Sequence, residues 1–157
     1  EFMRFVAGLY QLSEAEFGVR CDPLLDLFEI AAVGDQLTED YSHGMRQKLS
    51  FASCFLHDPR IMIVDEPWVG LDPKNIRFVK DFLKQKTRDE GLTVFMSTHT
   101  LSIAEEVADR IGIIHQGRLL HTGTVAEIKA LSQAPGSLED VFLTLTEGDA
   151  AAAEGPA

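Results

Sequence analysis

No apolar run in this chain approaches the roughly 18 residues needed to cross a bilayer, and its amino-terminal residues carry no signal-peptide pattern, so the sequence points to a cytoplasmic protein. Basic residues are scarce. Fourteen Lys and Arg stand against 25 Asp and Glu, for a net charge of −11, which excludes a surface-wide attraction to nucleic acid or to anionic lipid. There are only two cysteines, Cys21 and Cys54, with no CxxC and no paired histidine spacing. That leaves no cysteine-ligated zinc site, and both read as small buried hydrophobes in a reducing compartment, with a disulfide as the alternative. His43, His57, His115 and His121 lack metal-ligand spacing, and none is assigned a metal.

What is present begins with Ile61-Met62-Ile63-Val64, four apolar residues in a row within a chain of 157, long enough for one respectable core and of single-domain size. The run reads as a short strand buried on both faces, as in parallel sheets covered by helices. It ends on Asp65 and Glu66. Those carboxylates would sit at the carboxyl edge of the sheet, where open α/β sheets bind ligands, although Asp-Glu-Pro can also be a solvated turn with Pro67 stopping the strand. Next, Asp72 stands as N-cap before Pro73 at N1, opening a helix with Ile76, Val79 and Leu83 inward and Lys80, Lys84 and Lys86 on its wet face. Gly91 closes it. Thr93 to Ser97 then forms another buried strand, and the strand–helix–strand order implies a parallel, right-handed pairing. His99, just beyond that strand, is expected at the same sheet edge as Asp65 and Glu66.

Upstream, Phe2, Phe5, Val6 and Leu9 recur at helical spacing, and Ser13 with Glu16 forms a capping box for a second helix whose apolar face continues through Phe17, Cys21, Leu24, Leu25 and Phe28. Gly18 and Asp22-Pro23 interrupt that face, predicting a kink or two short helices with Asp22 as a new cap. Ser42 sits where a cap should precede a helix with Met45, Leu49, Ala52 and Leu56 on one face, ending near Asp58-Pro59. A helix start with a hydroxyl and a glycine is a ready anion site as well as a structural cap, because its first N–H groups are unpaired and the dipole is positive there. Downstream, the pattern predicts a helix over 101–109, a hairpin turning at Gln116-Gly117, a helix capped by Thr124 through Leu131, a break at Pro135-Gly136, and a helix over 137–146. Residues 148–157, rich in alanine, are expected to be a disordered tail.

The stretches at 41–49, 61–73 and 97–99 together resemble the ATPase domain of the ATP-binding cassette (ABC) family, as its signature motif, its acidic strand motif with the following D-loop, and its switch histidine. The family's common signature is Leu-Ser-Gly-Gly-Gln. This chain keeps Ser42 and Gly44 and departs at Tyr41, His43 and Met45. The resemblance implies a P-loop NTPase-like α/β fold, a mostly parallel sheet flanked by helices. Residues 1–60 would be a helical subdomain facing a membrane partner, and 61–147 the catalytic part. It further implies that Asp65 holds Mg²⁺ through water, Glu66 polarises the attacking water, His99 contacts the γ-phosphate, and Ser42, His43, Gly44 and Met45, with Asp72 of the D-loop, serve ATP held by the opposite subunit. The partners implied are a second ATPase subunit, giving a homodimer, and a membrane-spanning permease that places the protein at the inner face of the cell membrane. No GxxxxGK[ST] occurs, so the chain reads as a fragment of a transport ATPase that is inactive alone. The alternative is a P-loop-less module lending its signature helix to a complete ATPase, against which the intact Glu66 and His99 argue. Trp68 looks exposed, with a local core contact as its simplest packing and a neighbouring subunit as the other.

Overall fold

A computed structural model of the chain describes residues 1–131 and 136–153. It falls into two units, Glu1–Ser97 and Thr98–Ala157.

In the first unit, α1 (Phe2–Leu9) leads to α2 (Glu14–Leu27), which opens on a complete Ser13–Glu16 capping box. Of the kink or two short helices expected at Asp22-Pro23, the two helices do not occur, since α2 is one helix with Pro23 inside it. Proline removes one bond to the carbonyl four residues back. That carbonyl belongs to Val19, a residue 75% exposed, so solvent can reach the acceptor Pro23 abandons. The face predicted for α1 is also corrected. Met3 and Ala7 are buried, whereas Phe5 and Leu9 are exposed.

Two short 3-10 turns, Ala31–Val33 and Thr38–Asp40, lead to α3 (His43–Phe55), capped by Ser42, whose hydroxyl accepts from Met45 N at 3.2 Å. Strand β1 (Ile61–Asp65), helix α4 (Pro73–Glu90) and strand β2 (Thr93–Ser97) follow as a parallel crossover unit. Gly91 ends α4 at a φ of 71°, the left-handed cap that glycine adopts at least cost. The lysine face of α4 is wet only in part: Lys80, Lys84 and Lys86 are half-buried, and Lys86 pairs with Glu90 and lies 5.6 Å from the Phe82 ring centre.

Phenylalanines make the core of this unit. Phe28, fully buried after the end of α2, meets Phe51 of α3 at 6.3 Å and Phe78 and Phe82 of α4 at 5.5 Å, and Phe55 meets Phe82 at 4.8 Å. His57 stacks on Tyr10 at 3.7 Å between ring centres, and burial lowers its pKa, favouring the neutral ring. Cys21 and Cys54 are free thiols, with pKa values raised mainly by burial.

The strands depart from expectation on one face. Met62 is buried, but Ile61, Ile63 and Phe95 are 66%, 76% and 68% exposed, so the two-stranded sheet is covered on one side only. A continuous apolar run cannot by itself say whether one face or two are covered.

In the second unit, α5 (Leu101–Val107) precedes an antiparallel hairpin of β3 (Arg110–His115) and β4 (Arg118–Thr124). Gln116 and Gly117 have φ of 46° and 76°, the two positive values that a type I′ turn requires. Thr124 caps α6 (Val125–Lys129) with a capping box, and Ile113, Ile128, Leu138 and Val141 form the core with α7 (Leu138–Ala153). Helix α7 continues to Ala153, into the stretch expected to be a disordered tail, as alanine's helix propensity allows. The expected break at Pro135 and the end of that tail, 154–157, lie outside the described residues.

Because Phe28 meets three helix-borne rings, those of Phe51, Phe78 and Phe82, Phe28→Ala should lower the unfolding free energy by about 3–5 kcal/mol. Urea denaturation of both forms, with an unchanged slope, checks it.

Candidate active site

The end of β1 is fixed by its partner strand. Asp65 pairs in register with Ser97, the Ser97 hydroxyl donates to the Asp65 carboxylate, and Glu66 N continues the ladder by donating to Ser97 O at 3.0 Å. Here the chain turns sharply. Glu66 has a φ of 46°, sparsely populated for a residue with a side chain, and such outliers concentrate at functional sites. Two short bonds then wind the loop, Val69 N to Glu66 O and Leu71 N to Trp68 O, both at 3.2 Å. Asp72 ends it by accepting from Asn75 N at 2.9 Å as the cap of α4.

Trp68, which the sequence left looking exposed, is buried at 4% exposure, next to a fully buried Pro67. The pair anchors the turn from within, where an apolar ring contributes burial that a small polar residue could not. Its indole N–H has no acceptor.

The signature segment lies against this same loop. A Cβ built on Gly70, whose φ is 80°, would fall 1.9 Å from His43 Cδ2 and 2.1 Å from its Nε2, and one built on Gly44 would fall 3.6 Å from Gly70 O. Only glycine fits at 70. Tyr41, another departure from the family's common signature, is buried and donates its hydroxyl to Val33 O at 2.7 Å, anchoring the approach to α3. Behind both helix starts, Glu29 accepts from Lys48 of α3 at 3.4 Å and from Lys74 of α4 at 3.2 Å. Those lysines, Lys74 foremost, hold the Glu29 carboxyl below the usual carboxylate range.

The structure therefore gathers Ser42, His43, Gly44 and Met45 with the loop that runs from Asp65 and Glu66 to Asp72. His99 belongs to the second unit, two residues past the end of β2, where Thr98 Oγ1 accepts from Thr100 N at 3.0 Å. Gly70 and Glu29 were missed as site residues. Only Gly70 carried a signal, as a glycine in a tight turn before a helix cap.

The donor set suits a nucleotide with Mg²⁺. Among the described residues no group of three or more His, Cys, Asp and Glu could hold a metal. Asp65 offers a single carboxylate, and Mg²⁺ characteristically takes one or two carboxylates, waters and substrate phosphates in place of an all-protein cage. At the start of α3 the first-turn N–H groups of His43 and Gly44 precede any carbonyl four residues back within the helix, and Gly44 presents no side chain, which suits phosphate oxygens.

Comparisons with known proteins agree in kind. Residues 32–105 match a family model described as "AAA domain, putative AbiEii toxin, Type IV TA system". The chain is 38% identical over 133 residues to "Uncharacterized ABC transporter ATP-binding protein YhcH" of Bacillus subtilis (strain 168), covering 81% of this chain and 44% of that protein. To the same organism's "Uncharacterized ABC transporter ATP-binding protein YthP" it is 34% identical over 150 residues, covering 95% and 63%. A solved structure described as "Structure of ATP binding subunit of ABC transporter" superposes with a TM-score of 0.82 at 33% identity, over 92% of this chain and 60% of that one. The chain thus spans less than two thirds of each.

The Asp72 cap gives this site a pH signature. The Asn75 backbone N–H, first among its causes, lowers the Asp72 pKa from an ordinary 3.8, so the cap's contribution is fully present above that value and fades as pH falls through the lower, folded one. Asp72→Asn keeps a capping oxygen without the titration. Its stability at neutral pH should stay near wild type while the loss below the ordinary aspartate pKa becomes shallower, read from thermal melts across that range.

Proposed function

The chain belongs to the ABC transporter ATPase family, and from that membership we propose that it supplies the catalytic carboxylates and the signature surface of a subunit that hydrolyses MgATP to drive transport through a membrane permease. The observation that carries this reading is the packing of the Glu66–Asp72 loop against the start of α3, which sets the hydrolytic and phosphate-clamping motifs side by side in one compact unit.

Bound Mg²⁺ would neutralise charge on the phosphates, and Asp65, steadied by the Ser97 hydroxyl, is the residue to hold it through water. Glu66 orients the attacking water and accepts its proton at the carboxylate. His99 contacts the γ-phosphate. On the neighbouring subunit's nucleotide, the Ser42 hydroxyl and the N–H groups at His43 and Gly44 bind γ-phosphate oxygens, with Met45 and the Asp72 loop supporting that surface. Positioning and charge stabilisation supply the rate, so no covalent nucleophile is required. A P-loop, absent from these 157 residues, must hold the nucleotide in the intact ATPase. We place that ATPase as a homodimer on the inner face of the cell membrane, attached through a permease. Among the described residues, no helix is long and apolar enough to cross a membrane.

In the intact ATPase, Glu66→Gln should reduce steady-state turnover by at least about 100-fold while ATP binding persists, because the amide keeps the shape but cannot accept the proton. Near-normal phosphate release would remove Glu66 from the base role.

Action across the dimer is tested by pairing a Gly44→Asp subunit with a Glu66→Gln subunit, which puts both lesions in one composite site and leaves the other intact. Turnover well above that of the Gly44→Asp homodimer is expected. Two dead sites, with the wild-type/Glu66→Gln dimer still active, would confine the signature to its own subunit.

A further inference from the structure

His43 stands where the family's common signature has a small residue, yet its imidazole occupies the space beside Gly70 so closely that any side chain there would collide with it. The contact joins two segments with different addressees. In the functional reading above, Ser42 and Gly44 address the nucleotide of the neighbouring subunit, whereas the loop behind His43 hangs from Glu66, which addresses this subunit's own. We propose that His43 is a positioning residue that ties the signature turn to the Glu66–Asp72 loop, so that engagement of the neighbour's phosphate sets the placement of this subunit's own catalytic carboxylate.

The path is short. From Ser42 it passes to His43, across the ring contact to Gly70, and through Val69, whose N–H bonds Glu66 O at 3.2 Å, to Glu66 itself. Glu66 N is pinned to Ser97 O and Asp72 is pinned as a helix cap, so the loop is held at both ends and pressed by His43 in its middle. Behind it, Glu29 accepts from Lys48 of α3 and from Lys74 of α4, which links the two helices by surface ion pairs. A shift of the α3 start therefore reaches the loop through the ring contact. His43 is otherwise solvent-exposed, so its removal opens no cavity in the core.

The inference rests on the ATPase reading, and a test with one live site separates the two. Intact dimers are prepared with Glu66→Gln in one subunit, and hydrolysis of preloaded ATP is followed in a single turnover. His43→Ala is placed either in the subunit that carries Glu66→Gln or in its partner. In the first arrangement the live site uses the altered subunit's signature, and in the second it uses the altered subunit's own Glu66. A residue serving only the neighbour's phosphate slows the first alone. The positioning role slows both, each by roughly tenfold, as small misplacements of catalytic groups do. His43→Phe, which keeps a flat ring over Gly70, should restore both rates to within about threefold of the parent dimer on the same ground. Slowing in the first arrangement alone, or in neither, overturns the inference while the ATPase reading stands. Normal hydrolysis by the Glu66→Gln homodimer overturns that reading and this inference with it.

Discussion

The site depends on where one short parallel ladder stops. Pairing of β1 with β2 runs in register from Ile61 with Thr93 to Asp65 with Ser97, and Glu66 N adds a last bond to Ser97 O. Because both strands run out at the same level, the acidic turn leaves the sheet directly beside Ser97. A slip of one residue would send every side chain of β1 to the opposite face, so the register that buries Met62 also fixes where Asp65 and Glu66 emerge.

The two helix starts follow from a different constraint, the unpaired N–H groups of a first turn. Ser42 and Asp72 each satisfy one of them with a side-chain oxygen, at 3.2 and 2.9 Å. The same chemistry that makes a good cap leaves neighbouring N–H groups for an anion, so capping and phosphate recognition are not competing accounts of Ser42. In the proposed function they divide one helix turn between them. What distinguishes this turn from the start of α2, which has a full capping box, is Gly44 in place of Ala15 and, above all, the absence of any acidic side chain in its first turn. Glu14 and Glu16 in the first turn of α2 would repel the anion that α3 can accept.

Features set by neighbours a few residues apart were legible in the sequence: the Ser13, Ser42, Asp72 and Thr124 caps, the glycine stop at 91, and the hairpin at Gln116-Gly117. Features set by distant partners were not. Whether Ile61, Ile63 and Phe95 are covered depends on what lies over the sheet, and an apolar residue type does not encode that. Trp68 looked exposed, yet the local core contact read as its simplest packing agrees with its burial, a property of the space the loop encloses. Pro23 lies inside α2 with Val19, the residue four positions back, exposed, a fact about position on a helix face that residue-by-residue propensity omits. In the candidate site, residue types marked Ser42, Gly44, Asp65 and Glu66, while the contact of His43 with Gly70 joins segments 27 positions apart and leaves no periodic trace.

Positive φ at Glu66 ties these strands of argument together. A left-handed conformation costs a residue with a side chain about 1–2 kcal/mol, and glycine would remove that cost. Gly70, four residues on, takes its φ of 80° freely, so the loop uses glycine where space forbids a side chain and accepts strain where a carboxylate is wanted. The strain persists because the bonds on either side determine the turn: Glu66 N reaches back to Ser97 O and Glu66 O accepts from Val69 N. Relaxing Glu66 into an extended conformation would break the second bond and carry Gly70 away from His43. Both the contact with the signature turn and the placement of the carboxylate thus rest on a conformation that the ladder and the buried Pro67-Trp68 anchor jointly enforce.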